Sequence, residues 1–224
     1  MERKIATTLL YILITLNGLI AQQPQAGTCG VSVSPGLWEF YTLYIGMDNP
    51  VYVHVDGIPD DSLVVTCAKG SVKRERCGLY FIKPETIGEV FIQVSDNNGR
   101  VFGNSGKFYI KRLPEPVPLL GANYFEENLK ADVFKAQGGI AAVPPESRGS
   151  FCYSCNVGRY FITRVSKTGN RQTLKNKGAK LERQASAIIQ RASAGDIYIF
   201  SDIQAKCPGD DAWRTLRSLV FFIQ

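Results

Sequence analysis

Six cysteines hold most of the reactive chemistry in this chain: Cys29, Cys67, Cys77, Cys152, Cys155 and Cys207. Two of them stand in C-x-x-C spacing, Cys152-Tyr153-Ser154-Cys155. In a thiol–disulfide redox protein the first of such a pair attacks a disulfide and the second resolves it. That chemistry wants the first cysteine at a helix N-terminus, where the dipole lowers the thiol pKa. Here Phe151 and a strand-like run flank the pair, and no βαβ pattern surrounds it, so a structural disulfide is the favoured reading over an enzyme. A zinc site would need two more ligands. Cys207 and Cys29 could supply them on paper, but the spacing matches no standard pair of knuckles. Cys67 and Cys77 flank a short segment expected to be a loop, and are expected to pair. Cys152, Cys155 and Cys207 share the second half, Cys29 is left over, and the full connectivity stays open.

The other reactive types are sparse. His54 is the single histidine, and it sits between alternating valines, so it is expected to face solvent. Asp60-Asp61 and Asp210-Asp211 are adjacent carboxylate pairs; calcium favours such oxygens, yet turn-forming acids in solvent are the simpler reading. No phosphate-cradling G-x-x-x-x-G-K-[ST] occurs, and no cofactor is expected. Lys73-Arg74-Glu75-Arg76 is expected at the exposed tip of a hairpin loop. The net charge of +6 is scattered among acids rather than gathered in a stripe, which argues against nucleic acid as a partner.

The elements that must position these residues are mostly strands. Glu2, Arg3 and Lys4 precede an apolar run from Ile5 to Ile20, with Ala21 ahead of a polar segment. This is the pattern of a secretory signal peptide over residues 1–21, leaving no transmembrane anchor after cleavage. Export makes an even number of cysteines read as disulfides. Residues 22–36 read as an irregular leader. From Leu37 to Arg112 the sequence predicts six or seven short strands, among them Val51–Val55, Leu63–Thr66, Leu79–Ile82, Val90–Val94 and Lys107–Arg112, separated by turn residues. That spacing suggests an immunoglobulin-like β-sandwich over 37–112, with Trp38, Phe40 and Tyr44 in its core. Alternate prolines at 114, 116 and 118 predict a stiff linker over 113–118. Residues 119–224 read as a smaller α+β domain. It has a helical stripe at Phe125, Leu129 and Val133, a strand over Gly158–Thr168, a helix over Leu181–Ala192, and strands over Asp196–Ile203 and Leu219–Ile223.

With the strands placed, a family resemblance emerges. Tyr44-Ile45-Gly46-Met47-Asp48-Asn49-Pro50 resembles the Y-x-G-x-D-N-P signature of the periplasmic part of GldM/PorM proteins, from the gliding-motility and type IX secretion machinery of Bacteroidetes. Lys111-Arg112-Leu113-Pro114-Glu115-Pro116 is similar to that family's strand-to-linker segment. Gly195 to Ile203 resembles a strand of its final domain, and Pro208 and Arg214 fall where the family has a turn and a basic residue. The resemblance implies a non-catalytic, force-transmitting interaction protein built from the last two domains of the family's longer shaft. It implies envelope proteins as partners, including an outer-membrane-associated lipoprotein ring, and a homo-oligomer. The periplasm is the expected location. An adhesin-like β module at the cell surface is the alternative from the residues alone. Tyr44, Gly46, Asp48, Asn49 and Pro50 form a turn element suited to a rigid corner: proline fixes φ, and Asn and Asp bond the local backbone.

Overall fold

Short alternating β-branched and aromatic runs bounded by Gly, Asn and Asp turns build a chain that is mostly strand. The computed structural model describes residues 32–35, 41–76, 78–121, 127–145 and 153–224. The expected signal peptide, Cys29, Trp38, Phe40, Cys77, Phe125 and Cys152 lie outside them.

The first half contains β1 (Ser32–Pro35), β2 (Thr42–Tyr44), β3 (Asn49–His54), β4 (Leu63–Cys67) and β5 (Gly70–Arg76), then β6 (Leu79–Pro84), β7 (Gly88–Val90), β8 (Ile92–Asp96), β9 (Val101–Asn104) and β10 (Phe108–Lys111). They form three sheets, ordered β1-β3-β6-β5, β2-β10-β7 and β4-β8-β9. The inward residues of all three, including Val51, Ile82, Val65, Ile92, Phe108 and Ile110, share one core. Three hydrogen-bonded sheets thus surround this core, where the sequence pointed to an immunoglobulin-type pair. The expected strand across residues 90–94 is divided at Phe91, which is half exposed, between β7 and β8.

Asn49 closes the β2–β3 turn. It is fully buried; its Oδ1 accepts from the Tyr44 amide at 2.7 Å, and its Nδ2 donates to the carbonyls of Tyr44, Met47 and Ile82 at 2.9–3.1 Å. One side chain therefore bonds four backbone groups of the turn and the neighbouring strand, accepting at one and donating to three, which is why an amide rather than an acid stands there.

The second half contains β11 (Val117–Leu120), β12 (Asn128–Leu129), α1 (Ala131–Lys135), β13 (Ile140–Val143) and β14 (Asn156–Val165), then β15 (Arg171–Lys177), α2 (Arg183–Ile189), β16 (Ile197–Lys206), β17 (Arg214–Leu216) and β18 (Leu219–Ile223). The main sheet runs β12-β18-β16-β14-β15, with β17 also on β16, and β11 pairs with β13. Tyr160, Ile162, Tyr198, Phe200 and Phe221 face a core closed by Phe134 of α1 and by Ala185, Ile188 and Ile189 of α2. Phe134 touches the rings of Tyr198, Phe200 and Phe221. Burial pushes the Tyr198 hydroxyl up to about 12, and it donates to the Ile188 carbonyl at 2.8 Å.

Four expectations are corrected. The stripe Phe125, Leu129, Val133 is not one helix: Leu129 lies in β12, and of the described residues in this stretch only 131–135 are helical. Lys73–Arg76 is not a loop tip but part of β5, paired along β6. The Cys67–Cys77 bridge is not formed, and Cys67 is a buried free thiol. Finally, residues 113–118 are not a free spacer. Leu113, Pro116 and Pro118 are buried, and β11 begins at Val117.

Asp196, before β16, anchors the hairpin between β14 and β15. Its side chain is 1% exposed and its Oδ2 accepts from Arg164 Nε and Nη2 at 2.9 and 2.8 Å. Burial alone would raise its pKa, but the Arg164 guanidinium and the amides of Lys167 and Ser193 outweigh that and hold it below the usual carboxylate range. A carboxyl whose folded pKa lies below the unfolded value of about 3.9 stabilises fully above roughly pH 5 and loses that contribution as pH falls through the folded value. Asp196→Asn is expected to cost about 3 kcal/mol at neutral pH and to flatten the acid limb of stability in urea titrations. An acid limb as steep as in the parent would contradict this.

Candidate functional site

The residues singled out by sequence converge on the joint between the two halves. The β2–β3 turn of the first half meets the Cys207–Asp211 turn that follows β16 in the second. Gly46 and Gly209 lie against each other with φ of +77° and +73°. A Cβ on Gly46 would strike the backbone of Gly209 and Pro208, and a Cβ on Gly209 would strike Ile45. Both positions thus require glycine twice over, for the left-handed φ and for the close backbone approach.

Two arginines and two aspartates tie this contact. Asp210 is 3% exposed at its side chain. It accepts from the Cys207 amide at 2.9 Å and from Arg214 Nη2, while Arg112 Nη1 lies 3.8 Å away. Arg214 Nη1 donates in turn to the carbonyls of Leu113 and Pro114 at 2.8 and 3.0 Å. Arg112 donates to the Gly209 carbonyl at 3.0 Å and to Asp211 Oδ2 at 2.6 Å. The hydrogen bond from Arg112 and its charge hold the exposed Asp211 carboxyl below the usual range, and Arg112 is raised in return. The result bridges β10, the connecting segment and the Cys207–Asp211 turn with charge-assisted hydrogen bonds.

Apolar packing follows the same line. Tyr44 of β2 and Leu113 belong to the core of the second half, with Met47 against it. The Cys207 turn is fixed from behind by a disulfide to Cys155, across 52 residues. Closing a loop of that length is worth about 4 kcal/mol on the chain-entropy account. Cys155 also bridges Ala142 of β13.

Not every candidate comes to this place. Gly46 is at the contact. Asn49 holds the turn from within, and the flanking Asp48 and Pro50 share that turn with it. Arg112, Pro114 and Cys207 are at the joint, and Cys155 is behind it. Lys111 is exposed on β10 and pairs in register with Tyr44. Pro116 is buried just beyond, while Cys67 lies apart in the first core. Of the C-x-x-C pair, the Cys155 sulfur is bonded to Cys207, which occupies two of the four cysteines a zinc site would use, and Cys152 lies outside the described residues. His54 is half exposed, 3.5 Å from Asp56. The paired acids are not uniformly solvent-facing as expected. Asp60 is buried, accepting from Arg74 and from the Gly78 amide, and Asp210 is buried at the joint. Sequence reasoning missed the Arg112–Asp210–Arg214 network. Its signal was the alternation of Arg112, Asp210 and Arg214 with Pro and Gly turns, which becomes legible only once β10 and the Cys207 turn are known to meet.

Among the described residues no group of His, Cys, Asp and Glu is placed to hold a metal, and no helix is long and apolar enough to cross a membrane. Gly46→Ala is expected to cost about 1–3 kcal/mol and to speed amide hydrogen exchange at Ile45 and over Cys207–Asp211. Unchanged exchange there would contradict the contact.

The comparisons with known proteins follow the same two halves. A family model described as the GldM third domain matches residues 31–111, and one described as the GldM C-terminal domain matches residues 125–224. No curated protein sequence matches the chain. Among solved structures, the adhesin InvE of Yersinia pseudotuberculosis is similar at a TM-score of 0.25 and 9% identity, over 84% of this chain and 58% of that one. The D0-D1 domain of intimin is similar at 0.28 and 8%, over 85% and 97%. A Bacteroides ovatus protein, SGBP-B of a mixed-linkage glucan utilization locus, is similar at 0.27 and 10%, over 75% and 50%. Likeness at these values carries no statement about function.

Proposed function

From the premise that this chain belongs to the GldM family through its third and C-terminal domains, we propose that it is a non-catalytic structural protein of a gliding-motility or type IX secretion apparatus. In this reading it is exported to the periplasm, where its two modules act as one stiff unit. The unit presents binding surfaces to envelope proteins, including lipoprotein ring components beneath the outer membrane, and passes load between them. Assembly as a homo-oligomer belongs to the same reading.

The observation that carries it is the joint. Modules joined only by a flexible segment reorient freely and transmit little torque or tension. Here Gly46 and Gly209 are in backbone contact, and Arg112 and Arg214 pin the connecting segment to the Cys207–Asp211 turn. Bending the unit would break the hydrogen bonds from Arg112 to Gly209 and Asp211 and from Arg214 to Leu113 and Pro114, and would draw Tyr44 and Leu113 out of the second core. The disulfide behind that turn suits an oxidising, exported setting. With the Cys155 sulfur committed to it, thiol exchange at the C-x-x-C pair is set aside.

The test is mild crosslinking of the tagged chain in a Bacteroidetes host, followed by identification of what co-purifies from the envelope. Recovery of type IX ring or shaft components is the expected result. Recovery of none, with the chain found in the medium or at the cell surface, would overturn the role.

A further inference from the structure

One edge of the second module is built differently from the others. β15 is the outer strand of the main sheet. Its seven residues pair with β14 from Arg159↔Lys177 to Val165↔Arg171 without a register shift, whereas β5 and β9 each meet their neighbours with one. A long, regular edge is a template for another strand, and proteins usually blunt it by shortness, a bulge, proline or charged side chains, lysine above all. β15 has only the last of these, which bars a like-charged strand and leaves an oppositely charged one admissible.

The direction of its backbone follows from two hydrogen bonds. The Gly178 amide donates to Gly158, toward β14, at 2.7 Å. The Lys177 amide donates instead to Glu182 Oε2 at 3.3 Å, away from β14. In an antiparallel ladder this alternation continues, so the N–H and C=O groups of Arg171, Thr173 and Lys175 point to the open edge. The close hydroxyl contact of Thr163 and Thr173, 2.8 Å, suits the narrow, non-hydrogen-bonded pair this register requires. Buried Asn176 fixes the strand's end, donating to Lys177, Gly178 and Lys180 and accepting from Glu182.

The side chains of Arg171, Thr173, Lys175 and Lys177 are exposed. They stand on the sheet face opposite the core, because Tyr160 and Ile162 take the inner one and strand residues alternate. Among the described residues none of the three cations has an ionic partner. That face continues over β14, β16 and β18 with half-buried Phe161, Val165, Ile199 and Val220 and exposed Phe222. A second copy of β15 laid along the first would set cations against cations, which is unfavourable. An extended segment with acidic residues at alternate positions would meet opposite charges and complete the ladder.

We propose that β15 is a docking edge for an extended, acidic segment of a partner protein, which adds to the main sheet as a further antiparallel or parallel strand. This rests on the reading of the chain as an interaction protein and names the chemistry of one partner. Specificity comes from carboxylates opposite Arg171, Lys175 and Lys177, and affinity from main-chain hydrogen bonds.

The probe is a short fluorescent peptide of alternating glutamate and valine, with a lysine–valine peptide as control, added to the purified chain. The acidic peptide is expected to bind, more weakly as salt rises, and to slow amide exchange at Arg171, Thr173 and Lys175. Thr173→Pro removes an outward donor while leaving the β14 ladder intact. It is expected to weaken binding about tenfold or more with charge unchanged. Arg171→Glu with Lys175→Glu is expected to reverse the preference between the two peptides; both variants are checked for folding by their amide spectra. Absence of binding, protection at another edge, or equal binding by Thr173→Pro would overturn the proposal. A concentration-dependent dimer of the parent chain that Thr173→Pro abolishes would overturn it in favour of a second copy. Because the assay needs no envelope machinery, its failure is separable from a failure to recover secretion components by crosslinking.

Discussion

A single buried carboxylate organises the middle of this molecule. Asp210 is withdrawn from water, and an ionised group so placed must be matched by donors or it destabilises the fold. Arg214 and the Cys207 amide supply the match. Arg214 has a second nitrogen to place, and it reaches the carbonyls of Leu113 and Pro114, the residues through which the first module passes into the second. Satisfying Asp210 and fixing the connection are therefore one event. The disulfide at Cys207 and the glycine contact at Gly46 hold the turn where this geometry closes.

The packing makes the same joint continuous. Tyr44 and Leu113 lie in the core of the second module although Tyr44 belongs to β2 and Leu113 follows β10 of the first. Leu43, one residue before Tyr44, belongs to the other core. Strand β2 thus contributes one face to each core, since alternate residues point in opposite directions. A hinge at this position would expose apolar surface on both sides. Pro114, which lacks an amide donor, sits where its carbonyl is used, accepting from Arg214.

The sequence made some of this legible and hid the rest for physical reasons. Strands with one buried and one open face, such as β3 and β18, announce themselves by alternation or by dense β-branched and aromatic residues. The turn at Asp48–Pro50 was legible too, because an Asn that replaces ladder hydrogen bonds stands beside a proline. β15 was not legible: Arg171-Gln172-Thr173-Leu174-Lys175-Asn176-Lys177 buries only Asn176 fully, so it has no apolar stripe to betray it. The prolines at 114–118 suggested a spacer because proline chemistry is the same in a stiff linker and in a packed strand entrance. Cys67 suggested a bridge because an even count of cysteines in an exported chain reads as disulfides, whereas its thiol is free and buried in the first core. The bonds that join this turn to Arg112, Leu113 and Pro114 connect residues 97 to 101 positions apart, and no local pattern encodes such a meeting.

The claim on which the account stands is that the two modules form one body. Residual dipolar couplings of the backbone amides test it most directly, since each rigid module reports its own orientation in a weakly aligned sample. The account predicts that β3, β6 and β10 of the first module and β14, β16 and β18 of the second fit a single alignment tensor, and that Arg214→Gln splits it into two. Separate tensors of different magnitude in the unaltered chain would contradict a fixed joint and, with it, a single stiff unit.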